Sequence, residues 1–238
     1  MKNSELWIQN SFNKDSRGRI IGEHMHKIIG HAYEPVIKAN ASGTLVDLGC
    51  GAVPYYFLYK ELVQETICID WGRELKEGEI PFFDKIADLN YGIPLENELA
   101  DTILCTDVLE HISNPTLLFS EIARVMKTKA KLILTVPFMY WVHDAPDDNH
   151  RYTKYMLERY CGQNNLKVLS VEAYGGLPEV LYNMIHQGYY AYGLPFKRLF
   201  YFLFRNFGHF LHKRKFVKDL SFKSRGEFPL GYILVAQK

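Results

Sequence analysis

The feature that most constrains this chain is a series of short apolar runs, each with a glycine or polar residue near its end. TLVDLG (44–49), TICID (66–70), DTILCTD (101–107), AKLILTVP (130–137), LKVLSVEAY (166–174) and GYILVAQ (231–237) read as strands, and a seventh, shorter strand is expected over 85–88, ending near Asp88. Runs of this length with little polar alternation suit strands buried on both faces. Between them lie helical signals. Asn114 followed by Pro115 opens a helix over 114–127, since Asn caps and Pro is tolerated at the first position. Pro54 sits in the first turn of a helix expected over 54–62, and TKYMLERYCGQ gives another over 153–163. Ile20, Ile21, His24, Ile28, Ile29 and Tyr33 recur at roughly helical spacing within 19–40. Strands alternating with helices predict an α/β, Rossmann-like fold: a seven-stranded, mostly parallel sheet with helices on both faces.

In such sheets ligands sit outside the carboxyl ends of the strands. Asp47 to Gly51, Asp70, Asp88, Thr106–Asp107 and the stretch after Pro137 all fall there. A length of 238 residues suits one domain with additions. These are an N-terminal helical cap (1–43), a core (44–174), a helical insert (175–228) and the last strand (229–238). The formal net charge of +1 gives no global field to attract nucleic acid, so no such partner is expected. Cys50, Cys68, Cys105 and Cys161 form no C-x-x-C pair, which argues against zinc and redox motifs and for free thiols in a reducing compartment. No uncharged apolar run reaches the ~18 residues of a membrane span. The N-terminal residues also lack the apolar core of a signal peptide. A cytoplasmic location is expected.

DLGCGAVPY (47–55) has glycines where a dinucleotide loop places its first two, but Pro54 stands at the third position. Proline offers no N–H, so a pyrophosphate would lose a donor there. A dehydrogenase is therefore disfavoured, and a nucleoside bearing a single carboxylate is a better fit. Asp70, about twenty residues beyond Gly49, is placed to accept bonds from ribose hydroxyls. Trp71 could flank an adenine ring, or simply pack.

The motifs LVDLGCGAVPYYFL, ICIDWG, IADLNYGIPLENELADTILCTDVLEHISNP and EIARVMKTKAKLILTVPF, in this order, resemble those of class I S-adenosylmethionine-dependent methyltransferases of the type 11 kind. The loop G-C-G-x-x-P-Y, and later His143, Pro146, Asp148, Arg151, Tyr152 and Thr153, look most like bacterial methyltransferases associated with polysaccharide biosynthesis. The resemblance spans about 44–174 and the last strand, and implies S-adenosylmethionine as cofactor, with S-adenosylhomocysteine as product. It places Asp47, Gly49, Cys50 and Gly51 around the methionine part, Asp70 at the ribose and Trp71 beside the adenine. Asp88 would face the adenine amino group, Leu89 the ring, and Thr106, Asp107 and Val108 would line the cofactor. The missing third glycine departs from the wider class but is shared by the subgroup.

HDAPDDNHRYT (143–153) is the densest polar stretch, just past the fifth strand. Three readings stay open. It is a loop tied by local Asp and Arg bonds; or it supplies acceptor recognition and a general base, His143 first, with Asp144 and Asp148 as further catalytic candidates; or it binds a divalent metal, although no metal is assigned. His111 reads as a residue that orients its own loop. Methyl transfer needs mainly proximity and alignment, because the sulfonium already leaves readily. A base matters most when the acceptor is an alcohol.

The insert should emerge over the site. Within 196–215, Phe196, Leu199, Phe200, Leu203, Phe204, Phe207, Phe210 and Leu211 mark an apolar helical face, opposed by Arg198, Arg205, His209 and His212. A packed cap is one reading. An interfacial helix, touching a membrane through 196–218 or walling a lipid-linked acceptor, is the other. Tyr189, Tyr190, Tyr192, Tyr201 and Phe196 add rings that could stack on sugars. The expected function is methyl transfer to a small or lipid-linked acceptor, a sugar hydroxyl or amine. An aromatic or quinone-like acceptor, or cofactor binding without catalysis, are the alternatives.

Overall fold

In the computed structural model, the structure describes residues 23–51, 53–72, 83–192 and 196–238. Residues 19–22 of the helix expected over 19–40, and Ala52 of the glycine loop, lie outside them. Helix α1 (Glu23–Asn40) precedes β1 (Thr44–Leu48), the short α2 (Tyr56–Tyr59), β2 (Glu65–Asp70), β3 (Lys85–Ile86) and β4 (Ala100–Thr106). Then come α3 (Pro115–Val125), β5 (Met126–Pro137), α4 (Lys154–Gln163) and β6 (Lys167–Tyr174). Three helices of the insert follow, α5 (Leu177–Ala191), α6 (Lys197–His212) and α7 (Lys215–Ser224), before β7 (Gly231–Gln237).

The seven strands form one sheet in the order β3-β2-β1-β4-β5-β7-β6. All neighbours pair in parallel except β7, which runs antiparallel to both β5 and β6. This is the expected Rossmann-like sheet. Its order reverses at β1 and β4, the point where such sheets hold ligands.

Successive residues of the central strands enter opposite cores, as the two-residue period requires. Val46, Leu48, Ile103, Cys105, Leu132 and Leu134 join Leu118, Phe119 and Tyr160 on one face. Leu45, Leu104 and Ile133 join Tyr33, Ile37 and Tyr59 on the other. The four cysteines are free and buried, as expected.

Three elements differ from expectation. The helix expected over 54–62 is one turn, Tyr56–Tyr59, so Pro54 lies in the turn before it rather than inside it. Val53, with a positive φ of 53°, shapes that turn. The helix expected to reach residue 127 stops at Val125, and the chain enters β5 at once because Met126 pairs with Ala100 and is fully buried. Asn114 does cap that helix, accepting from the Leu117 N–H at 3.2 Å. The strand expected over 85–88 is only Lys85–Ile86.

The described part of the insert is mostly helical. No described helix is long and apolar enough to cross a membrane. On α6 the wide apolar face divides in two. One edge packs inward, with Phe200 stacked on Tyr189 at 3.6 Å and Phe204 on Tyr182 at 4.6 Å. The other edge, Leu199, Leu203, Phe207 and Phe210, is more than half exposed.

Candidate active site

The loop after β1 is tied to β2 by backbone bonds. The N–H groups of Gly49 and Cys50 donate to the Ile69 carbonyl at 2.8 and 3.2 Å. Gly49 needs its glycine twice over, since its φ is 64° and a Cβ would overlap the Val108 methyls. Gly51 also has a positive φ, 52°, but it is exposed, with nothing within 4 Å of where its Cβ would stand. Its N–H donates to Asp70 Oδ2 at 2.8 Å. Asp70 thus closes the loop from the end of β2 and keeps lone pairs for further donors. Together Gly51 and Asp70 leave an open cradle at the switch point, which suits a nucleoside close to backbone.

The other residues predicted for the cofactor are placed as follows. Asp47 is buried and accepts the Tyr59 hydroxyl at 2.8 Å; burial pushes its carboxyl up to about 7, against that bond. The Cys50 thiol is a correction. It turns into the core beside Cys68, which together with burial raises it far above the usual thiol range, so only its backbone belongs to the loop. Trp71 is half-buried at the end of β2. Asp88 accepts from both the N–H and the side-chain amide of Asn90 at 2.9 Å, and Asn90 in turn accepts from Ser113 at 2.8 Å. That oxygen of Asp88 organises the turn between β3 and β4. Leu89 is a core residue, 5% exposed, packed with Ile93 and Ile112 rather than standing in the open. Thr106 ends β4, and Val108 fills the space in front of Gly49.

Asp107 is not an open carboxylate. Its N–H bonds to Thr135, and its side chain accepts the Tyr33 hydroxyl at 2.8 and 2.9 Å and the Thr135 hydroxyl at 3.0 Å. Burial, then the Glu110 charge, raise its carboxyl above the usual range. Tyr33 comes from α1 and also lies 3.1 Å, oxygen to oxygen, from Tyr174. The N-terminal helix therefore builds part of this edge, which nothing around Tyr33 in the sequence announced.

The polar stretch 143–153 is held first by Arg151. Its guanidinium bridges both oxygens of Asp148 and donates to the Trp141 carbonyl at 3.0 Å. Asp148 also accepts the His143 N–H at 2.9 Å, and its side chain is only 2% exposed. Burial works to raise its carboxyl, but Arg151 and the His143 N–H hold it below the usual range. This corrects Asp148 as a catalytic candidate. It is an ion-paired anchor that positions His143 and is not poised to take a proton. Asp144 is half-buried at a left-handed backbone position, φ 52°.

His143 has two distinct sides. Nδ1 faces Asp148 Oδ2 at 3.3 Å and the Trp141 carbonyl at 3.3 Å, and Nε2 faces Glu110 Oε1 at 3.7 Å. Burial opposes its charge, yet Glu110, Asp148 and Asp144 outweigh burial and raise its pKa. His111 presents Nε2 to the same Glu110 oxygen, also at 3.7 Å, and its ring meets His143 edge-on at 4.9 Å. Glu110 is the residue that sequence reasoning missed. A lone carboxylate between Leu109 and Ile112, followed by a histidine, was the available signal.

Residues 46–134 match the family model for a methyltransferase domain. A curated relative, an uncharacterised protein of Methanocaldococcus jannaschii, is 34% identical over 92 residues, which are 39% of this chain and 40% of that protein. The aligned stretch thus spans well under half of the relative's length. Among solved structures, an S-adenosylmethionine-dependent methyltransferase from Archaeoglobus fulgidus aligns with a TM-score of 0.58 at 15% identity, over 99% of this chain and all of that one. The cyclase SpnF aligns with a TM-score of 0.56 at 17% identity, over 95% of this chain and 85% of its own. The fold is the Rossmann-like fold shared with that S-adenosylmethionine-dependent methyltransferase. The residues present fit S-adenosylmethionine. Gly51 leaves open the space a Cβ would fill, Asp70 keeps acceptor capacity where a ribose is expected, and Asp47 is buried without a cationic partner at its carboxyl among the described residues.

Proposed function

We propose that the protein transfers the methyl group of S-adenosylmethionine to a small or lipid-linked acceptor, a sugar hydroxyl or amine. The observation that carries the reading is the open Gly51–Asp70 cradle at the switch point, at the same strand edge as the loops after β4 and β5 that carry a second cluster of polar groups. When bound, the cofactor supplies an electrophilic methyl on a good leaving group. The protein's share is alignment and, for an alcohol acceptor, a place for the proton. His143 is the base in this reading. Its Nδ1 is oriented by Asp148, and its Nε2, 3.7 Å from Glu110 Oε1, is the nitrogen left to take the proton.

The exposed edge of α6 supports the lipid-linked part of the proposal. Leu199, Leu203, Phe207 and Phe210 form an apolar strip on the insert, and Arg214 and Lys218 follow it. Such a strip suits contact with an acyl or prenyl chain at an anionic surface.

Calorimetry with S-adenosylmethionine and with NAD tests the cofactor. Binding of the former alone is expected, and tighter binding of NAD would end the reading. Activity screens with nucleotide-sugars and lipid-linked sugars, read as mass gain of one methyl, test the acceptor class. Co-sedimentation with anionic vesicles should fall in a Leu203→Glu, Phe207→Glu variant, and an unchanged bound fraction would remove the membrane contact.

A further inference from the structure

Glu110 has a side chain with no solvent exposure, and neither carboxylate oxygen has a hydrogen-bond partner. A buried carboxylate left in that state is costly, so something must compensate it. The groups that face it are two imidazole nitrogens, His111 Nε2 and His143 Nε2, each 3.7 Å from Oε1. One donor atom from each of the three residues lies within 4.8 Å of the others.

The second nitrogen of each ring decides what the first can do. His111 Nδ1 lies 3.0 Å from the Asp147 carbonyl, which can only accept, so Nδ1 carries the proton. His143 Nδ1 lies 3.3 Å from both the Trp141 carbonyl and Asp148 Oδ2, again acceptors. In the neutral rings both Nε2 lone pairs therefore turn towards Glu110. Two lone pairs and a carboxylate facing one another are an arrangement that asks for a cation between them. Two ligands, each ~2.1 Å from one ion, lie about 3–4 Å apart, and 3.7 Å falls in that range. The Asp148 and Asp147 contacts then act as outer partners that fix ring orientation.

We propose that Glu110, His111 and His143 form a binding site for one first-row divalent transition cation. Two imidazoles and one carboxylate favour zinc, iron, manganese or cobalt over magnesium or calcium, and leave further positions open. Those positions lie between the loops after β4 and β5, where an acceptor oxygen could bind and lose its proton more readily.

The test uses the full chain without a polyhistidine tag, stripped with a chelator and titrated with Zn(II), Mn(II) and Co(II). Calorimetry should give one ion per chain, and Co(II) should develop visible bands of an imidazole–carboxylate site. His111→Ala, His143→Ala and Glu110→Gln should each weaken binding by about tenfold or more. His111 ends a single 3-10 turn (Leu109–His111), His143 lies in a loop, and both are partly exposed, at 21% and 16%, so their variants should fold even if the buried Glu110 variant does not. Circular dichroism checks this. Failure of all three ions to bind the wild-type chain overturns the proposal, as does undiminished binding in both histidine variants. The titration contains neither S-adenosylmethionine nor an acceptor. A negative result therefore leaves the methyl-transfer reading standing, and absence of cofactor binding leaves this one standing.

Discussion

The two sides of the strand edge are built by different means. The side proposed for the cofactor, from β1 and β2, is made of backbone: the Gly49 and Cys50 N–H groups bonded to Ile69, and the Gly51 N–H bonded to Asp70. The facing side is made of side chains that are far apart in the chain: Tyr33 on Asp107, Arg151 on Asp148, and two histidines on Glu110. A backbone site tolerates variation in side chains but not in conformation. A side-chain site depends on each partner in its network, because removing one leaves another buried and unpaired. The two sides should therefore fail differently.

The largest effect is expected at Gly49. A Gly49→Val substitution combines a positive φ with overlap on Val108, so a loss of about 3 kcal/mol or more and of cofactor binding is expected. Gly51→Ala meets open space and carries only the backbone cost, about 1 kcal/mol. Thermal unfolding of the pair separates strain from overlap, and equal losses would break the account of this loop.

Next in size is Arg151→Ala. It strips a nearly buried carboxylate of a two-point partner, at about 2–3 kcal/mol, and frees the loop that carries His143. Arg151→Lys should recover little of this, because an ammonium cannot span both Asp148 oxygens and the Trp141 carbonyl. Recovery of full stability by lysine would show that charge alone matters, and would weaken the contrast between the two sides.

The backbone side was legible in the sequence for a physical reason. Buried parallel strands need unbroken apolar runs, and their polar ends must face the ligand edge, so Asp47, Gly49, Gly51 and Asp70 could be placed by counting along the chain. The same local logic failed where tertiary pairing competed with helix signals: Met126 was claimed by Ala100, and the helix after Pro54 shrank to one turn. The side-chain half was largely hidden. Nothing local tells that Tyr33 reaches Asp107, some seventy residues away, or that Glu110 turns inward between two histidines. For the polar stretch 143–153, the sequence left a tied loop, a base and a metal ligand open together. The structure shows that the first is compatible with either of the others, since Arg151 and Asp148 tie the loop while His143 stays aimed at Glu110.

A third effect is a pH dependence that belongs to the backbone side. Burial holds the Asp47 carboxyl at about 7 in the free protein. A ligand ammonium favours its ionised form, so binding releases a proton at lower pH. Affinity for S-adenosylmethionine should then fall as pH drops below about 7, by at most tenfold per unit, and level off above it. Asp47→Asn should flatten the profile. A wild-type profile that is already flat between pH 5 and 7 would remove Asp47 from the cofactor side.

The smallest effect is expected in the insert, where α5 and α6 meet through His212 and Glu179, 3.2 Å apart. Glu179 also accepts from Ser221 and the Gly176 N–H, both at 2.8 Å. Burial would raise its carboxyl, but His212, then Ser221 and the Gly176 N–H, hold it below the usual range; burial would lower His212, but Glu179 raises it. The signs give a window. The contribution of His212 is complete below its unfolded pKa of about 6.5 and fades as pH rises through its higher folded value. That of Glu179 is complete above its unfolded pKa of about 4.3 and fades as pH falls through its lower folded value. The insert should be firmest between about pH 4.5 and 6.5 and loosen on either side. His212→Ala should cost about 1 kcal/mol, remove the alkaline limb and shrink the acid limb, because only the Glu179 bonds to Ser221 and Gly176 remain. Amide exchange across α5 and α6 reads this directly, with the strands of the sheet as internal reference. Loosening of α6 with no change at the Gly49–Asp70 loop would show that the insert and that loop move independently, whereas a common response would mean that they open as one unit.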